Sequence, residues 1–504
     1  MRGHGDKRLP AELVVERRRG HVVGMPVAPA YRPAPRFMTL GPDFADPVRP
    51  ADFPRADLRF RNQRAAASVG LDSLTDGEWL AAFARFEALP DNQPQPLAMR
   101  YHGHQFRSYN PDLGDGRGFL FAQLREAGTG RLLDLATKGS GTTPWSRGAD
   151  GRLTLKGGVR EVLAAAMLEA LGVPTSRAFS LIETGDDLQR NDEPSPTRSA
   201  VLTRLGHSHI RFGTFQRHAF LERADNIAIL VDHAVETYHP HLAALSGPDR
   251  ASGLMRTVID ASARLVARWM TAGFVHGVLN TDNMNVTGES FDYGPYRFLP
   301  RNDPNFTAAY FDQTGLYAFG RQPEAVFWNL QQLAACLTLV CEQEPLVAAL
   351  NGFSAAYREA LIAAMIARLG LIPQATDANI ALANAAFRAL ASGGERLRWE
   401  RFFFDWFAGA ASEARAMAGP RADLYADPAF LDFRALAAGF APDRPERLAH
   451  PMFSAAEPCE LLIDEIEAIW ASIAATDDWS AFNAKLAEIE AARTGWGLLQ
   501  QASA

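Results

Sequence analysis

The order of the secondary-structure patterns constrains the fold of this chain more than any other feature. Strand-like segments occur before residue 205, near 119–124, 131–138, 178–183 and 199–204. From about residue 225 onward, apolar residues recur mostly at helical spacing. A run of strands followed by a run of helices is typical of α+β proteins. The predicted fold class is therefore α+β, with a strand-rich first part and a helical second part.

The helical pattern divides into several segments. A helix at 159–171 interrupts the strand-rich part and ends before Gly172 and Pro174, which stop helices. The helices predicted in the second part are 225–245, 251–272, 323–350, 354–371, 377–392, 397–418, 458–475 and 478–493. The last third of the chain holds no compact group of polar residues, so we interpret it as scaffold.

A polar loop lies inside the helical part. An apolar helical pattern ends at Gly273, and Phe-Val-His-Gly-Val-Leu-Asn-Thr-Asp-Asn-Met follows at 274–284, with Asp-Tyr-Gly at 292–294. His276 and Asn283 are seven residues apart, as are the histidine and the metal-binding asparagine of a kinase catalytic loop. A later Asp-x-Gly supplies the second metal ligand of kinases. The spacing therefore indicates kinase-like metal and phosphate chemistry.

Two observations argue against an ordinary kinase loop. Two residues after the histidine, where kinases carry the catalytic aspartate, this chain has Val278. The Asn-Thr-Asp-Asn run at 280–283 is also typical of a simple turn, because Asn and Asp tolerate left-handed backbone and cap their own turns. Taken alone, the loop leaves a structural role open beside a catalytic one.

The strand-rich part carries a second group of candidates. Leu-Gly-Asp-Gly-Arg-Gly at 113–118 is either a hairpin turn or a nucleotide-binding loop, whose glycines let backbone amides approach phosphate. Lys138 ends a strand and Glu161 begins a helix, as in the kinase ion pair that orients phosphates. Alternatively, they are a surface lysine and a glutamate favoured by the helix dipole. Arg204 and Arg211 are either solvated or hold a polyphosphate.

These residues together make the chain similar to the selenoprotein O family, whose members are kinase-fold protein adenylyltransferases. The resemblance runs roughly from residue 103 to 333. Its motifs are Gly-His-Gln-Phe at 103–106, the glycine-rich 113–118, Thr-Pro-Trp-Ser-Arg at 143–147, Asp-Gly-Arg at 150–152, Ser-His-Ile-Arg-Phe-Gly at 208–213, the loop at 276–283, Asp-Tyr-Gly-Pro at 292–295 and Gln-Pro at 322–323. Their occurrence in this order is highly specific, and Asn-Thr-Asp-Asn-Met at 280–284 is the most diagnostic.

The resemblance implies a role for each site residue. Asp282 would be the proton acceptor, and Asn283 with Asp292 would bind Mg²⁺ or Mn²⁺. Lys138 would hold phosphate and pair with Glu161. The other positions that match nucleotide-contacting residues of the family are Gly114, Gly116, Arg117, Asp150, Gly151, Arg204 and Arg211.

The resemblance also implies the reaction and explains Val278. The family binds ATP in the reverse orientation to ordinary kinases, so the α-phosphate faces the acceptor. AMP from ATP, or UMP from UTP, would pass to a Ser, Thr or Tyr hydroxyl of a protein substrate, and pyrophosphate would leave. Two alternatives stay open: an ordinary kinase that transfers the γ-phosphate, and a catalytically silent nucleotide-binding scaffold.

The resemblance and the patterns together predict four regions. We expect a mobile extension at 1–37, a kinase-like N-lobe with the nucleotide-binding loop at 38–205, a kinase-like C-lobe with the catalytic loop at 206–350, and a helical C-terminal region at 351–504.

Charge and hydropathy limit the binding partners and the cellular location that can be expected for the protein. The net charge of −7 lacks the basic footprint of a nucleic-acid-binding protein. No apolar run reaches the eighteen or so residues of a membrane helix, and the N-terminus has no continuous apolar segment of the secretory type. We therefore expect a cytoplasmic protein with neither a nucleic-acid nor a membrane partner.

The cysteines argue against regulation by a disulfide. Three cysteines, Cys336, Cys341 and Cys459, do not make a disulfide framework. Many members of the resembled family carry cysteine or selenocysteine near the C-terminus, which bacterial members can pair with a cysteine after the Asp-Tyr-Gly region. The last nine residues of this chain and the segment 305–309 contain no cysteine, so this regulation is not expected here.

Overall fold

The computed structural model describes residues 25, 27–191 and 193–498. Its strand-rich part comes first, as expected. The strands up to residue 206 are β1 (Ala45–Pro47), β2 (Asp57–Arg61), β3 (Leu97–Met99), β4 (Gly103–Gln105), β5 (Ser108–Asn110), β6 (Leu120–Arg125), β7 (Leu132–Lys138), β8 (Leu153–Thr154), β9 (Arg177–Leu188) and β10 (Thr197–Gly206). Two short strands, β11 (Phe274–Val275) and β12 (Arg297–Phe298), pair with each other further along the chain.

One antiparallel sheet organises the strand-rich part. Its order is β1-β3-β6-β7-β10-β9-β2, and β8 pairs with the outer part of β10. The strands β4 and β5 form a separate hairpin. In the register of β7 and β10, Lys138 lies opposite Leu202, and Ala136 lies opposite Arg204. Because side chains alternate along a strand, these four residues share one face of the sheet.

The helices are α1 (Gln63–Ser68), α2 (Asp76–Phe83), α3 (Leu155–Ala170), α4 (Phe212–Phe220), α5 (Ala224–Tyr238), α6 (Gly247–Thr271), α7 (Gln322–Leu337), α8 (Gln343–Asn351), α9 (Phe353–Arg368), α10 (Thr376–Gly393), α11 (Trp399–Trp406), α12 (Glu413–Ala418), α13 (Ala422–Tyr425), α14 (Pro428–Ala438), α15 (Ile463–Thr476) and α16 (Ser480–Trp496). The mixture of helices with antiparallel sheets confirms the α+β prediction. None of the described helices is long and apolar enough to cross a membrane.

Each face of the sheet packs against a different group of helices. Leu202 and Ala200 belong to the core that also holds the buried side of α3, whereas Val201 belongs to a core built with α2. The alternation along β10 therefore divides its side chains between two cores. As a result, α3 lies against the face that carries Lys138.

Three predicted helices differ from the observed ones. The helix expected at 323–350 is two helices, α7 and α8, separated by residues 338–342. The helix expected at 397–418 is interrupted after α11, where Ala408 adopts a left-handed backbone with φ of 67°. The helix expected at 225–245 ends at Tyr238, shortly before Pro240, whose ring cannot continue a helix. The apolar spacing continues through all three breaks, so periodicity alone did not detect them.

Residues 27–37, part of the extension expected to be mobile at 1–37, make contacts with the strand-rich part. The Phe37 amide donates a 2.6 Å hydrogen bond to Gln123 Oε1, and its side chain is 3% exposed. The Tyr31 hydroxyl donates to the Pro90 carbonyl at 2.7 Å. This segment therefore packs against the strand-rich part through the buried Phe37 and the partly buried Tyr31. Residues 1–24 and 26 lie outside the described residues.

Candidate active site

A cavity of about 330 Å³ brings together residues from the strand-rich and helical parts. Eight of the predicted site residues line it: Gly114, Gly116, Arg117, Lys138, Arg204, Arg211, Asp282 and Asp292. Gly114 and Asp292 are far apart in the chain, so the tertiary structure brings them to the same cavity. This cavity is the candidate active site.

Lys138 occupies the centre of a buried ion-pair network. Its Nζ donates to Glu161 Oε1 and, at 2.6 Å, to Asp292 Oδ1. Lys138 and Glu161 are 6% and 3% exposed. A surface lysine and an unrelated helix-start glutamate are therefore excluded as an interpretation. The Nζ atom of Lys138, in β7, therefore contacts both α3 and the Asp-Tyr-Gly turn.

The two arginines are buried in the same cavity and are not solvated. Arg204 lies in β10, and its Nη1 is 3.3 Å from Asp292 Oδ1. Arg211 immediately precedes α4; its Nη1 donates to the Asp282 carbonyl oxygen at 2.7 Å, and its Nη2 is 3.4 Å from Asp115 Oδ1. Arg204 therefore lies beside the carboxylate of Asp292, and Arg211 lies beside the backbone of Asp282 and the carboxylate of Asp115.

The two aspartates of the site have opposite pKa shifts. Burial acts to raise the pKa of Asp292, but Lys138 and the nearby arginines outweigh it and lower this pKa well below its ordinary value. Burial raises the pKa of Asp282 to about 6, and Arg211 offsets only part of the effect. Asp292 is thus held as an anion, whereas Asp282 can exchange a proton near neutral pH. Such a separation is typical of acid–base sites.

The loop at 280–283 is held by its first two residues. Asn280 Oδ1 accepts hydrogen bonds from the Phe106 amide at 3.1 Å and the Tyr317 hydroxyl at 2.8 Å. Thr281 Oγ1 donates to Gln216 Oε1 at 2.6 Å and accepts from the His104 amide at 2.7 Å. The β4–β5 hairpin, α4 and the segment before α7 therefore brace the loop.

The next two residues leave oxygen atoms unused. Asp282 Oδ1 and Asn283 Oδ1 are buried without a hydrogen-bond partner among the described residues. Asn283 Nδ2 donates to the Val278 carbonyl at 2.9 Å, which orients the amide. A simple turn would use these oxygens to cap its own backbone. The unsatisfied oxygens instead favour binding of a further group, because buried polar atoms normally have partners.

His276 connects the loop to the Asp-Tyr-Gly turn. Its Nε2 is 3.1 Å from the Phe291 carbonyl oxygen, and since a carbonyl only accepts, this nitrogen carries the proton. Burial lowers the pKa of His276, so the ring is neutral near pH 7. The histidine therefore fixes the residue before Asp292 and does not line the cavity.

The donor set fits a divalent cation bound together with phosphate. The described residues contain no group of three or more His, Cys, Asp or Glu side chains that could hold a metal ion. Asn283 Oδ1 and the anionic Asp292 offer oxygen donors, which hard cations prefer. Mg²⁺ is usually held by one or two carboxylates together with substrate phosphates. A site with few protein ligands is thus suited to a metal–nucleotide complex.

The glycine-rich loop at 113–118 is not a hairpin turn, because the strands on either side of it, β5 and β6, are not paired. A Cβ atom on Gly114 would lie 2.3 Å from Trp145 Cγ, and one on Gly116 would lie 2.8 Å from the Trp145 carbonyl oxygen. These glycines therefore allow the loop to pack closely on the segment 143–147. The side chain of Arg117, in the same loop, lines the cavity.

Four of the predicted site residues, Glu161, Asn283, Asp150 and Gly151, are not in the cavity wall. Asp150 is paired with Arg190 at 2.8 Å, and its side chain is 45% exposed. Gly151 has a φ of 69°, and a Cβ atom there would lie 2.2 Å from the Gly141 carbonyl carbon. Their neighbour Ala149 does line the cavity, so both residues belong to the loop at its edge.

Several residues of the cavity wall were not among the predicted site residues. Asp115 accepts a hydrogen bond from the Met99 amide at 3.0 Å and faces Arg211. Trp145 and Arg147 line the wall from the segment 143–147. Asp115 lies in the glycine-rich motif at 113–118, and Trp145 and Arg147 lie in the motif at 143–147, so the sequence contained a local indication of all three. Tyr101 lies in the wall beside them and belongs to none of these motifs.

The three cysteines lead to a prediction about the response of the protein to reductant. All three are free thiols, and burial raises the pKa of Cys336 to about 12 and also raises that of Cys459. We expect three titratable thiols after denaturation and the same transfer activity with and without reductant, because thiolates are the reactive form. A thiol count combined with activity assays checks this. A reversible loss of activity that accompanies the loss of two thiols would contradict it.

Comparisons with known proteins agree with these features. The model of the family described as Protein adenylyltransferase SelO matches residues 30–490. A protein nucleotidyltransferase YdiU of Synechocystis sp. (strain ATCC 27184 / PCC 6803 / Kazusa) is 44% identical over 476 residues, which cover 90% of this chain and 96% of that protein. The YdiU protein nucleotidyltransferase of Gloeobacter violaceus (strain ATCC 29082 / PCC 7421) is 45% identical over 469 residues, covering 90% and 93%. That of Synechococcus elongatus (strain ATCC 33912 / PCC 7942 / FACHB-805) is 51% identical over 342 residues, covering 68% of each chain.

Proposed function

Because the chain belongs to the SelO family of protein adenylyltransferases, we propose that it transfers AMP from ATP to Ser, Thr or Tyr hydroxyl groups of proteins and releases pyrophosphate. The protein is thus a protein nucleotidyltransferase with protein and nucleotide substrates. The observation that carries the finer proposal is the network in which Lys138 joins Glu161 to Asp292 at the wall of a cavity with more cationic than anionic side chains.

The charge of the cavity supports a polyphosphate ligand. Five cationic side chains line it, against three carboxylates: Arg117, Lys138, Arg147, Arg204 and Arg211 against Asp115, Asp282 and Asp292. Guanidinium groups bind phosphate oxygens in a bidentate way, and fixed cations stabilise charge that develops on a leaving group. We assign Arg117, Lys138, Arg204 and Arg211 to the phosphates of the nucleotide, with Glu161 orienting Lys138.

Asp282 is proposed as the group that accepts the proton of the attacking hydroxyl. A general base works best when its pKa is near the operating pH, and burial raises the pKa of Asp282 to about 6. Its Oδ1 has no partner among the described residues and is available to an acceptor hydroxyl. The proton would move from that hydroxyl to this carboxylate as the oxygen attacks the α-phosphorus.

Asn283 and Asp292 are the proposed ligands of Mg²⁺ or Mn²⁺. When bound, such a cation neutralises phosphate charge and orients the phosphates. Asn283 Oδ1 is buried and unsatisfied among the described residues, and Asp292 is kept anionic by Lys138 and Arg204. Gly114, Gly116, Asp150 and Gly151 are proposed to shape the loops around the nucleotide.

The finer description of the fold is also a proposal. We propose a kinase-like arrangement with an N-lobe at 38–205, a C-lobe at 206–350 and a helical region at 351–504. The position of the cavity between the sheet and the loop at 280–283 supports it. A cytoplasmic location, the absence of a nucleic-acid partner and the use of UTP as an alternative to ATP stay predictions.

Labelled ATP tests the reaction directly. We expect label from the α-phosphate, and none from the γ-phosphate, to become attached to acceptor proteins in a protein extract supplied with Mg²⁺ or Mn²⁺. Mass spectrometry of the modified proteins should show a mass gain equal to AMP. A phosphate gain from the γ-position would identify an ordinary kinase instead. Nucleotide binding without any transfer would identify a silent scaffold, and a parallel reaction with UTP measures uridylylation.

A further inference from the structure

A second cavity, of about 480 Å³, lies in the helical part and shares no lining residue with the candidate active site. We call it the α6–α9 cavity. Its walls are the end of α3 at Leu171 and Gly172, the last turns of α6, the second half of α9 with residues 371–373, and Leu498. None of these residues has a role in the proposed reaction.

The floor of the α6–α9 cavity is apolar and made of small side chains. The lining residues from α9 include Ala360, Ala363, Ala364 and Ala367. Leu371, Ile372 and Leu498 complete the apolar lining, and Ile372 is 47% exposed although its side chain is fully apolar. A pocket with mostly apolar walls and a few polar groups is typical of sites for small molecules.

Two cations at the wall lack an anionic partner. Arg264 and Arg268 lie one turn apart on α6. Neither forms an ion pair with any residue in the described part of the chain, and Arg268 Nη1 donates at 2.8 Å to an uncharged group, the Gly172 carbonyl. Burial, and then the charge of Arg264, lower the pKa of Arg268. Side chains four residues apart on a helix are neighbours, so an anion at the mouth of the cavity can contact both the exposed Arg264 and the partly buried Arg268.

The other charged groups of the wall have charged partners, although Nε and Nη1 of Arg368 are buried without a hydrogen-bond partner among the described residues. Arg368 is bound to Glu400 by Nη2 and stacks on Phe403 and Trp496. The carboxylate of Asp443 accepts a hydrogen bond from Arg444 at 3.0 Å. The unmatched charge of the cavity is therefore positive and is concentrated at the two arginines of α6.

We propose that the α6–α9 cavity binds a small amphiphilic carboxylate. Its carboxylate would lie between Arg264 and Arg268, where guanidinium groups offer the matching fork of donors. Its apolar part would cover the alanine floor of α9. The large apolar wall does not suit a polyphosphate, which needs polar contacts on all sides.

Two elements that form the walls of this cavity also lead to residues of the candidate active site. Gly172 follows the end of α3, the helix that carries Glu161. Two residues separate the end of α6 from β11, and the loop that carries Asp282 follows this strand. The hydrogen bond from Arg268 to Gly172 joins the two elements. A ligand that binds Arg268 therefore acts on both, and its binding should change the affinity for ATP. This second step rests on the proposed function of the first cavity.

Calorimetric titration of the full-length protein with octanoate tests the binding step. We expect saturable binding of octanoate, much weaker binding of octan-1-ol, which lacks the charge, and of propionate, which lacks the apolar length. Arg264→Gln should weaken octanoate binding by about tenfold or more, since hydrogen bonds to charged groups are the stronger ones. Arg256→Gln, an exposed arginine two turns earlier on α6, is the matched control and should bind normally.

A cavity-filling variant gives an independent measure. Ala364→Phe, on the partly exposed floor, should abolish octanoate binding while a folded protein is retained. Equal affinities for octanoate and octan-1-ol, or octanoate affinity that is unchanged in both Arg264→Gln and Ala364→Phe, would overturn the proposal.

The coupling step has its own readout. We expect saturating octanoate to change the dissociation constant of ATP about fivefold or more, and ATP to change octanoate affinity by the same factor, because coupling between two sites is reciprocal. In Arg264→Gln at the same octanoate concentration, the shift should be lost. Octanoate binding with an unaltered affinity for ATP would overturn the coupling, and absence of ATP binding itself would instead contradict the proposed function.

Discussion

Lys138→Ala should abolish nucleotide transfer, with a loss of about a hundredfold to a thousandfold or more in turnover. Removal of one preorganised donor at a developing charge has costs of this size in other enzymes. Here the same Nζ also holds Glu161 and Asp292 in place, so both phosphate binding and the position of the second carboxylate are affected. Turnover, ATP affinity and thermal unfolding should be measured on the same preparations.

Two variants separate a catalytic effect from a loss of stability. Lys138→Ala leaves the carboxylate of Glu161 buried without its lysine partner, and breaking a buried ion pair lowers the stability of a protein. Arg204, whose Nη1 is 3.8 Å from Glu161 Oε2, still offers a partial counter-charge. The double variant Lys138→Ala/Glu161→Gln removes the unpaired charge and should regain stability without activity. Lys156→Ala is the matched control. It breaks the ion pair between Lys156, at the start of α3, and Glu467, and the variant should transfer AMP normally. Near-normal transfer by folded Lys138→Ala would disprove the assignment.

Asp282→Asn should keep the affinity for nucleotide and metal but lose turnover by roughly a hundredfold or more, the usual strength of general base catalysis. The amide preserves the size of the side chain and cannot accept the proton. Because the backbone of the loop is braced by Asn280 and Thr281, the substitution should not displace the loop. Turnover and ATP affinity at saturating metal are the measurements that decide this.

Asn283→Ala should fail in a different way from Asp282→Asn. The loss of Oδ1 removes a neutral oxygen donor that is unsatisfied among the described residues, so the metal concentration needed for half-maximal transfer should rise. Turnover at very high metal should recover in part, since Asp292 remains.

The comparison of the two loop variants distinguishes catalysis from simple loop structure. If both Asp282→Asn and Asn283→Ala lose nucleotide binding and thermal stability together, the loop has only a structural role. If Asp282→Asn turns over at nearly the wild-type rate with normal binding, Asp282 is not the base, and positioning of the phosphates must carry the reaction.

The local features of this protein could be predicted from its sequence. The α+β class followed from the order of strand and helix periods, and α3 was expected at 159–171 and observed at Leu155–Ala170. The spacing of His276 and Asn283 and the position of the glycine-rich loop are also local. Such features are encoded in apolar periodicity and in residue types within one segment, so a single sequence reports them well.

Helix breaks were predicted poorly. The breaks after Leu337 and at Ala408 leave the apolar spacing intact. At Ala408 the backbone amide donates a 2.8 Å hydrogen bond to the Leu369 carbonyl, which is distant in the sequence. Tertiary context overrides local preference at such places.

Only the tertiary structure decided which candidates form one site. The register of β7 on β10 puts Lys138 and Arg204 on one face of the sheet, and the packing of α3 on that face brings Glu161 to Lys138. The tertiary structure also places Asp150 in an exposed ion pair with Arg190 and outside the cavity wall. Sequence spacing contains no information about these contacts, because each depends on strand register and on helix packing between residues far apart in the chain. The chemical types of the candidate site residues could therefore be predicted from the sequence. Their position around one cavity could be determined only from the folded chain.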